Sequence, residues 1–195
     1  MILLGLTGSI GMGKSTTAKM FAAQGAAVYD ADAAVHKLYR EKAVPLIAKA
    51  FDGVVHNGIV DRAALGKIVL SNVSEMKRLE EIVHPLVHEE ERLFIERALE
   101  QRRRVAVLDI PLLFETKAEK RVQAVVVVTA SEAVQRQRVL AREGMNEEKF
   151  LSIVSKQMSD AEKRRKAHFL IDTGRGLEAA EASVASILKA VSAIS

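Results

Sequence analysis

Gly8-Ser9-Ile10-Gly11-Met12-Gly13-Lys14-Ser15 follows directly on the apolar run of residues 2–6. The stretch fits G-x-x-x-x-G-K-[ST] at every fixed position. An apolar strand delivers the chain into a glycine-rich turn, and a helix starts at Lys14 and Ser15. Phosphate asks for that arrangement. Backbone N–H groups around a compact turn can converge on one set of oxygens, and glycines let the main chain come close. The helix that follows adds its positive N-terminal end. In such a loop Gly8, Gly11, Met12, Gly13 and Thr16 line the cradle, Lys14 reaches the β- and γ-phosphates, and the Ser15 hydroxyl is a ligand for Mg²⁺. The dinucleotide fingerprint G-x-G-x-x-G fails, because Thr16 stands where its last glycine belongs.

Working outward, residues 2–7 read as a buried strand and residues 14–24 as a helix that Gly25 ends. A second strand at residues 27–29 runs into Asp30-Ala31-Asp32. Strand, helix, strand forms a right-handed crossover with parallel strands, which places this acidic pair on the carboxyl rim beside the phosphate loop. Further strands are predicted at residues 105–109, 122–129 and 168–172, the middle one carrying four consecutive valines. The expected fold class is therefore α/β: a five-stranded parallel sheet with helices on both faces.

Residues 33–104 read almost wholly as helix. Asp61 caps one segment, and Ser74 opens another to about residue 83. Pro85 suits a first helical turn better than an interior, so a separate helix is expected from His84 to about residue 102. Residues 131–142, 146–158 and 160–166 follow as shorter helices, the last capped by Asp160, and residues 177–191 close the chain. The expected organisation of residues 1–195 is one domain. Its core comprises residues 1–32, 104–130 and 167–195, with a helical acceptor-binding insertion at 33–103 and a lid at 131–166.

With 195 residues, 49% apolar and 28% charged, the chain has the composition of a soluble globular protein. The net charge of +4 suits an anionic ligand but does not require nucleic acid. The basic runs at residues 102–104 and 163–166 lack interleaved aromatics and read as solvated helix ends. There is no cysteine, which removes disulfide and thiol chemistry. No apolar run is long enough to span a membrane, so a cytoplasmic protein without membrane or nucleic-acid partners is expected, as a monomer or small homo-oligomer.

Phosphoryl transfer needs the donor held, its charge neutralised and the acceptor oxygen in line. Asp109 ends an apolar strand, where an acidic group supports a metal. Asp32 is the candidate general base, with Asp30 the alternative; helix capping is the competing role for either. Arg138 and Arg142 lie one turn apart on a helix after the valine strand, placed to offset charge during transfer. His84 and His88 do not make H-E-x-x-H, because Arg92 occupies the second histidine position.

These pieces together resemble the dephospho-coenzyme A kinase family over essentially the full length. The opening from Gly5 to Ser15 is similar to that family's P-loop. Asp30-Ala31-Asp32 with His36, then His84-Pro85, resembles its acceptor side. Asp109-Ile110-Pro111-Leu112-Leu113-Phe114-Glu115 is the most family-specific piece, while Arg138, Arg142 and Gly144 resemble its lid. The resemblance implies transfer of the γ-phosphate of ATP to the ribose 3′-hydroxyl of dephospho-coenzyme A with Mg²⁺. It puts Asp30, Asp32, His36, His84, Asp109 and Leu113 on the acceptor side, and Ser15 and Asp109 at the metal. Where the family often carries asparagine after the last strand, this chain has Thr173.

One rival reading is a P-loop kinase for another small hydroxyl or nucleotide acceptor. Another is a nucleotide-dependent switch. For the switch, the nearest approach to [NT]-K-x-D is Thr116-Lys117-Ala118-Glu119, which ends in glutamate and follows no strand.

Overall fold

The structure, a computed structural model, describes residues 1–193. The last two residues of the expected core range lie outside the described residues. In chain order the strands and helices are β1 (Ile2–Thr7), α1 (Lys14–Ala23), β2 (Ala27–Asp30), α2 (Ala31–Leu38), α3 (Val44–Ala50), β3 (Val55–His56), β4 (Ile59–Val60), α4 (Arg62–Val69), α5 (Val73–Glu100), β5 (Val105–Asp109), β6 (Ala124–Thr129), α6 (Glu132–Leu140), α7 (Glu147–Val154), α8 (Asp160–Lys166), β7 (Phe169–Asp172) and α9 (Leu177–Ser192). The chain parts into two compact units, Met1–Tyr29 with the residues from Ala98 on, and Asp30–Arg97. Among the described residues no helix is long and apolar enough to cross a membrane.

The first unit is built on a five-stranded sheet in the order β2-β5-β1-β6-β7. β1 pairs in parallel with β5 and with β6, and β6 with β7. Near-continuous Val, Leu and Ile strands suit a sheet covered on both faces. Leu4, Leu6, Val126 and Val128 pack with Phe21 of α1 and Val184 and Ile187 of α9. Register then places the chemistry: Leu6 lies beside Asp109, and Thr7 beside Val127. The chain leaves β1 at Gly8, where a Cβ would stand 2.7 Å from the carbonyl oxygen of Val128. Only glycine fits that close approach.

The second unit has its own core of Leu38, Ile47, Phe51, Val54, Val60, Leu65, Val69, Leu79 and Val83. β3 and β4 form a hairpin across Asn57-Gly58, both at positive φ. That is the conformation a two-residue turn matching the strand twist demands.

Two boundaries differ from expectation. Residues 73–100 form one helix of 28 residues with Pro85 inside it, rather than two helices meeting at His84. A proline in a helix interior costs about 3 kcal/mol through the lost N–H and the crowded preceding turn. Leu79 and Val83 before it and Leu86 and Val87 after it pack into one core, so a break at Pro85 would expose apolar surface on one side. Fully burying each such side chain is worth roughly 1.5–3 kcal/mol, enough to carry the helix through. The second difference is the start of α8. Its cap is Ser159 in a full capping box with Glu162, and not Asp160. The Asp160 carboxylate instead accepts a hydrogen bond from the Thr129 hydroxyl at 2.7 Å.

Candidate active site

The loop between β1 and α1 is held by bonds that leave its amides facing outward. The Met12 N–H closes a turn onto the Ser9 carbonyl at 3.1 Å. Both sides of the Ile10 residue are tied by glutamines: its N–H donates to Gln157 Oε1 at 3.1 Å, and its carbonyl accepts from Gln135 Nε2 at 2.8 Å. Gly13 sits at φ 92°, in the left-handed region glycine tolerates, and starts α1 without any side-chain cap. By contrast, side chains cap α2, α4, α6, α7 and α8. The N–H groups of Gly11, Gly13, Lys14, Ser15 and Thr16 have no acceptor among the described residues. Buried or half-buried amides without partners are costly unless an anion or water completes them. The loop is shaped to take an anion.

Lys14 supplies the matching charge. Its Nζ lies 2.5 Å from an oxygen of Asp109, whose side chain is only 4% exposed. The ammonium is thus held at the mouth of the loop by the end of β5. Ser15 and Thr16 are exposed at the start of α1, and Met12 is buried beneath the loop.

Arg138 and Arg142 project from α6 and the turn after it. Together with Gly11, Gly13, Thr16, Thr17, Met20 and Thr173 they line a cavity of about 320 Å³. The Arg138 guanidinium donates to the Thr173 hydroxyl at 2.8 Å and to the Thr173 carbonyl at 3.0 Å. Arg142 is exposed.

Leu113, expected on the acceptor side, is fully buried. Its methyl groups lie 3.1 Å from where a Cβ on Gly5 would be, so it packs against β1 and offers no surface to a substrate. Glu115, at the end of the same segment, accepts from the Met158 N–H at 2.8 Å and pairs with Lys163 at 3.0 Å. Burial pushes its carboxyl upward, but the Met158 and Glu115 N–H groups and Lys163 outweigh burial, holding it below the usual glutamate range. Gln135 and Gln157 are residues that sequence reading missed, and Lys163, expected on a solvated helix end, is instead fully buried against Glu115. Nothing in their spacing sets them apart from polar helix positions.

In the second unit, Asp30 is the N-cap of α2 and accepts from the Ala33 N–H at 2.9 Å. Asp32 is exposed in the first turn, with no side-chain partner among the described residues. His36 on α2 meets the Arg62 guanidinium. His84 is exposed on α5 and stacks with His88, ring centres 6.3 Å apart.

A parallel sheet with a nest of main-chain amides, a lysine and two arginines is the geometry of a P-loop kinase. Comparisons with known proteins agree. A protein-family model described as CoaE, dephospho-CoA kinase, matches residues 2–178. The dephospho-CoA kinase of Mesorhizobium japonicum is 59% identical over 188 residues, covering 96% of this chain and 95% of that protein. The crystal structure of TT1252 from Thermus thermophilus superposes with a TM-score of 0.82 at 35% identity, covering 98% of this chain and 96% of that one. Dephospho-CoA kinase from Campylobacter jejuni shares the fold, with a TM-score of 0.65 at 21% identity and coverage of 97% and 96%. With its phosphate loop and its whole length matched in this way, the chain belongs to the dephospho-CoA kinase family.

Proposed function

We propose that this kinase transfers the γ-phosphate of ATP to the ribose 3′-hydroxyl of dephospho-coenzyme A, giving coenzyme A and ADP. The observation that carries the reading is the set of N–H groups of Gly11, Gly13, Lys14, Ser15 and Thr16, without acceptors among the described residues, beside the Lys14 ammonium. A triphosphate tail satisfies those amides, and its charge draws Lys14 from Asp109 towards the β- and γ-oxygens. Arg138 and Arg142 then neutralise charge that spreads over the transferring group. Asp32 takes the proton of the acceptor hydroxyl, since Asp30 already caps α2. His36 and His84 contribute to acceptor binding.

The Ser15 hydroxyl and the Asp109 carboxylate are hard oxygen donors of the kind Mg²⁺ accepts while retaining waters and phosphate oxygens. Bound there, the ion supplies charge neutralisation between phosphates. In the same reading residues 33–103 carry the acceptor and residues 131–166 form a lid.

The test is ATP consumption with dephospho-coenzyme A, set against adenosine, nucleoside monophosphates and shikimate. Turnover confined to dephospho-coenzyme A is expected; equal turnover with another acceptor would replace the substrate while leaving the phosphate loop in place.

A further inference from the structure

Thr173 stands just after β7, 8% exposed, and its side chain joins segments far apart in the chain. A threonine hydroxyl has one hydrogen to give and lone pairs to receive. Here it donates to the Met12 carbonyl of the phosphate loop at 2.7 Å, the Thr129 carbonyl lying farther away at 3.3 Å. It accepts from Arg138 Nη1 at 2.8 Å, and its own carbonyl accepts from Arg138 Nη2 at 3.0 Å. Both arms of one planar fork are therefore held by a single residue. A guanidinium gripped at both Nη atoms loses rotation about its last bond, and its remaining N–H groups keep a fixed direction. Arg138 and Thr173 both border the cavity lined by Gly11, Gly13 and Thr16.

We propose that Thr173 is a positioning residue, coupling the Arg138 guanidinium to the Met12 carbonyl so that arginine and phosphate loop meet the donor phosphates as one preset unit. This rests on the phosphate-transfer reading above. Pre-orientation matters because a donor aimed where charge develops needs no reorganisation during the reaction.

The experiment compares Thr173→Val, which keeps shape and loses the hydroxyl, with Thr173→Ser, which keeps it. Thr173→Ala serves as a second hydroxyl-free variant should the valine protein fail to fold. Thr173→Val is expected to lower kcat roughly 10- to 100-fold, with calorimetric affinity for a non-hydrolysable ATP analogue changed less than about threefold. Thr173→Ser should stay within about threefold of the parent. In the nucleotide-free protein, the Arg138 Nη groups should give resolved NMR signals that the valine variant averages into one. Added to Arg138→Ala, the valine change should cost no further kcat. Parent-like turnover of both hydroxyl-free variants, or losses that multiply with Arg138→Ala, would overturn the proposal. Lys14→Ala, run alongside, separates the two readings. If it turns over normally, the phosphate-loop reading itself falls. If it is inactive while the hydroxyl-free variants are normal, only the role of Thr173 falls.

Discussion

The phosphate loop and the acidic turn of α2 carry their chemistry in different materials. In the loop the working groups are main-chain amides, and the neighbouring carbonyls and N–H groups are tied by Gln157, Gln135 and Thr173. Their direction is set before any ligand arrives. On α2 the proposed acceptor-side groups are side chains: Asp32 and His36 are exposed, Asp30 caps the helix, and His36 meets the Arg62 guanidinium. A phosphate tail is the same in every nucleotide, so a rigid cradle loses nothing by being preset. Side chains on a helix surface retain the freedom to settle on one particular acceptor. On the proposed function, donor geometry is preset and acceptor geometry is adjustable.

The sharpest way to break that contrast is Lys14→Ala. We expect kcat to fall by roughly 10³-fold, because the ammonium is the cation the loop itself offers to the transferring phosphates. The same change removes the cation facing the buried Asp109, so the melting temperature should drop by a few degrees while the protein stays folded. Activity near the parent level would overturn the phosphate-loop reading. Steady-state kinetics and calorimetric melting read the two effects separately.

On the other side, Asp32→Asn should lower kcat by roughly 10²-fold with a smaller change in the acceptor KM, as loss of a general base does. Asp30→Asn should cost much less, because asparagine caps a helix about as well as aspartate. An effect of Asp32→Asn on KM alone would make Asp32 a binding group. If Asp30→Asn proved the slower variant, the roles of the two carboxylates would be exchanged.

The fold was legible because its sheet strands are short apolar runs, most of them with glycine or aspartate at their ends, and the motif at Gly8 to Ser15 has a fixed spacing. Lys14 and Asp109 are marked by that spacing and by a strand end. What escaped reading depends on long-range packing. Pro85 looks like a helix start until Leu79, Val83, Leu86 and Val87 are seen sharing one core. Leu113 looks like a site residue until its methyl groups are found against Gly5. Gln157 follows an ordinary amphipathic helix, and only the folded chain brings it to Ile10. Local pattern marks amides and charges, whereas the groups that hold them are chosen by topology.

The ridge behind the loop gives the next largest effect. Glu115 holds the Met158 N–H, next to Gln157, and pairs with Lys163, which is fully buried. Glu115→Gln leaves that lysine without a carboxylate and should cost about 3 kcal/mol at neutral pH, read by urea unfolding. The sign with pH follows from the carboxyl being held below its ordinary value of 4.5. A lowered acid stabilises the fold fully above 4.5, and that contribution fades as the pH falls through the folded-state value. The parent should therefore lose stability more steeply than Glu115→Gln below pH 4.5. Parallel acid limbs would mean that the carboxylate is not charged in the fold.

Arg142 offers the mildest test. It lines the same cavity as Arg138, yet its guanidinium has no side-chain or carbonyl partner among the described residues, where Arg138 has two bonds to Thr173. An arginine that must be ordered during the reaction contributes less than one already fixed, since part of its interaction is spent on its own entropy. Arg142→Ala should lower kcat about 10-fold, less than Arg138→Ala, and shift unfolding free energy by no more than about 0.5 kcal/mol, as for an exposed residue. A larger kcat loss at Arg142 than at Arg138 would reverse the order. It would mean that the arginine ordered late stabilises transfer more than the one held in advance.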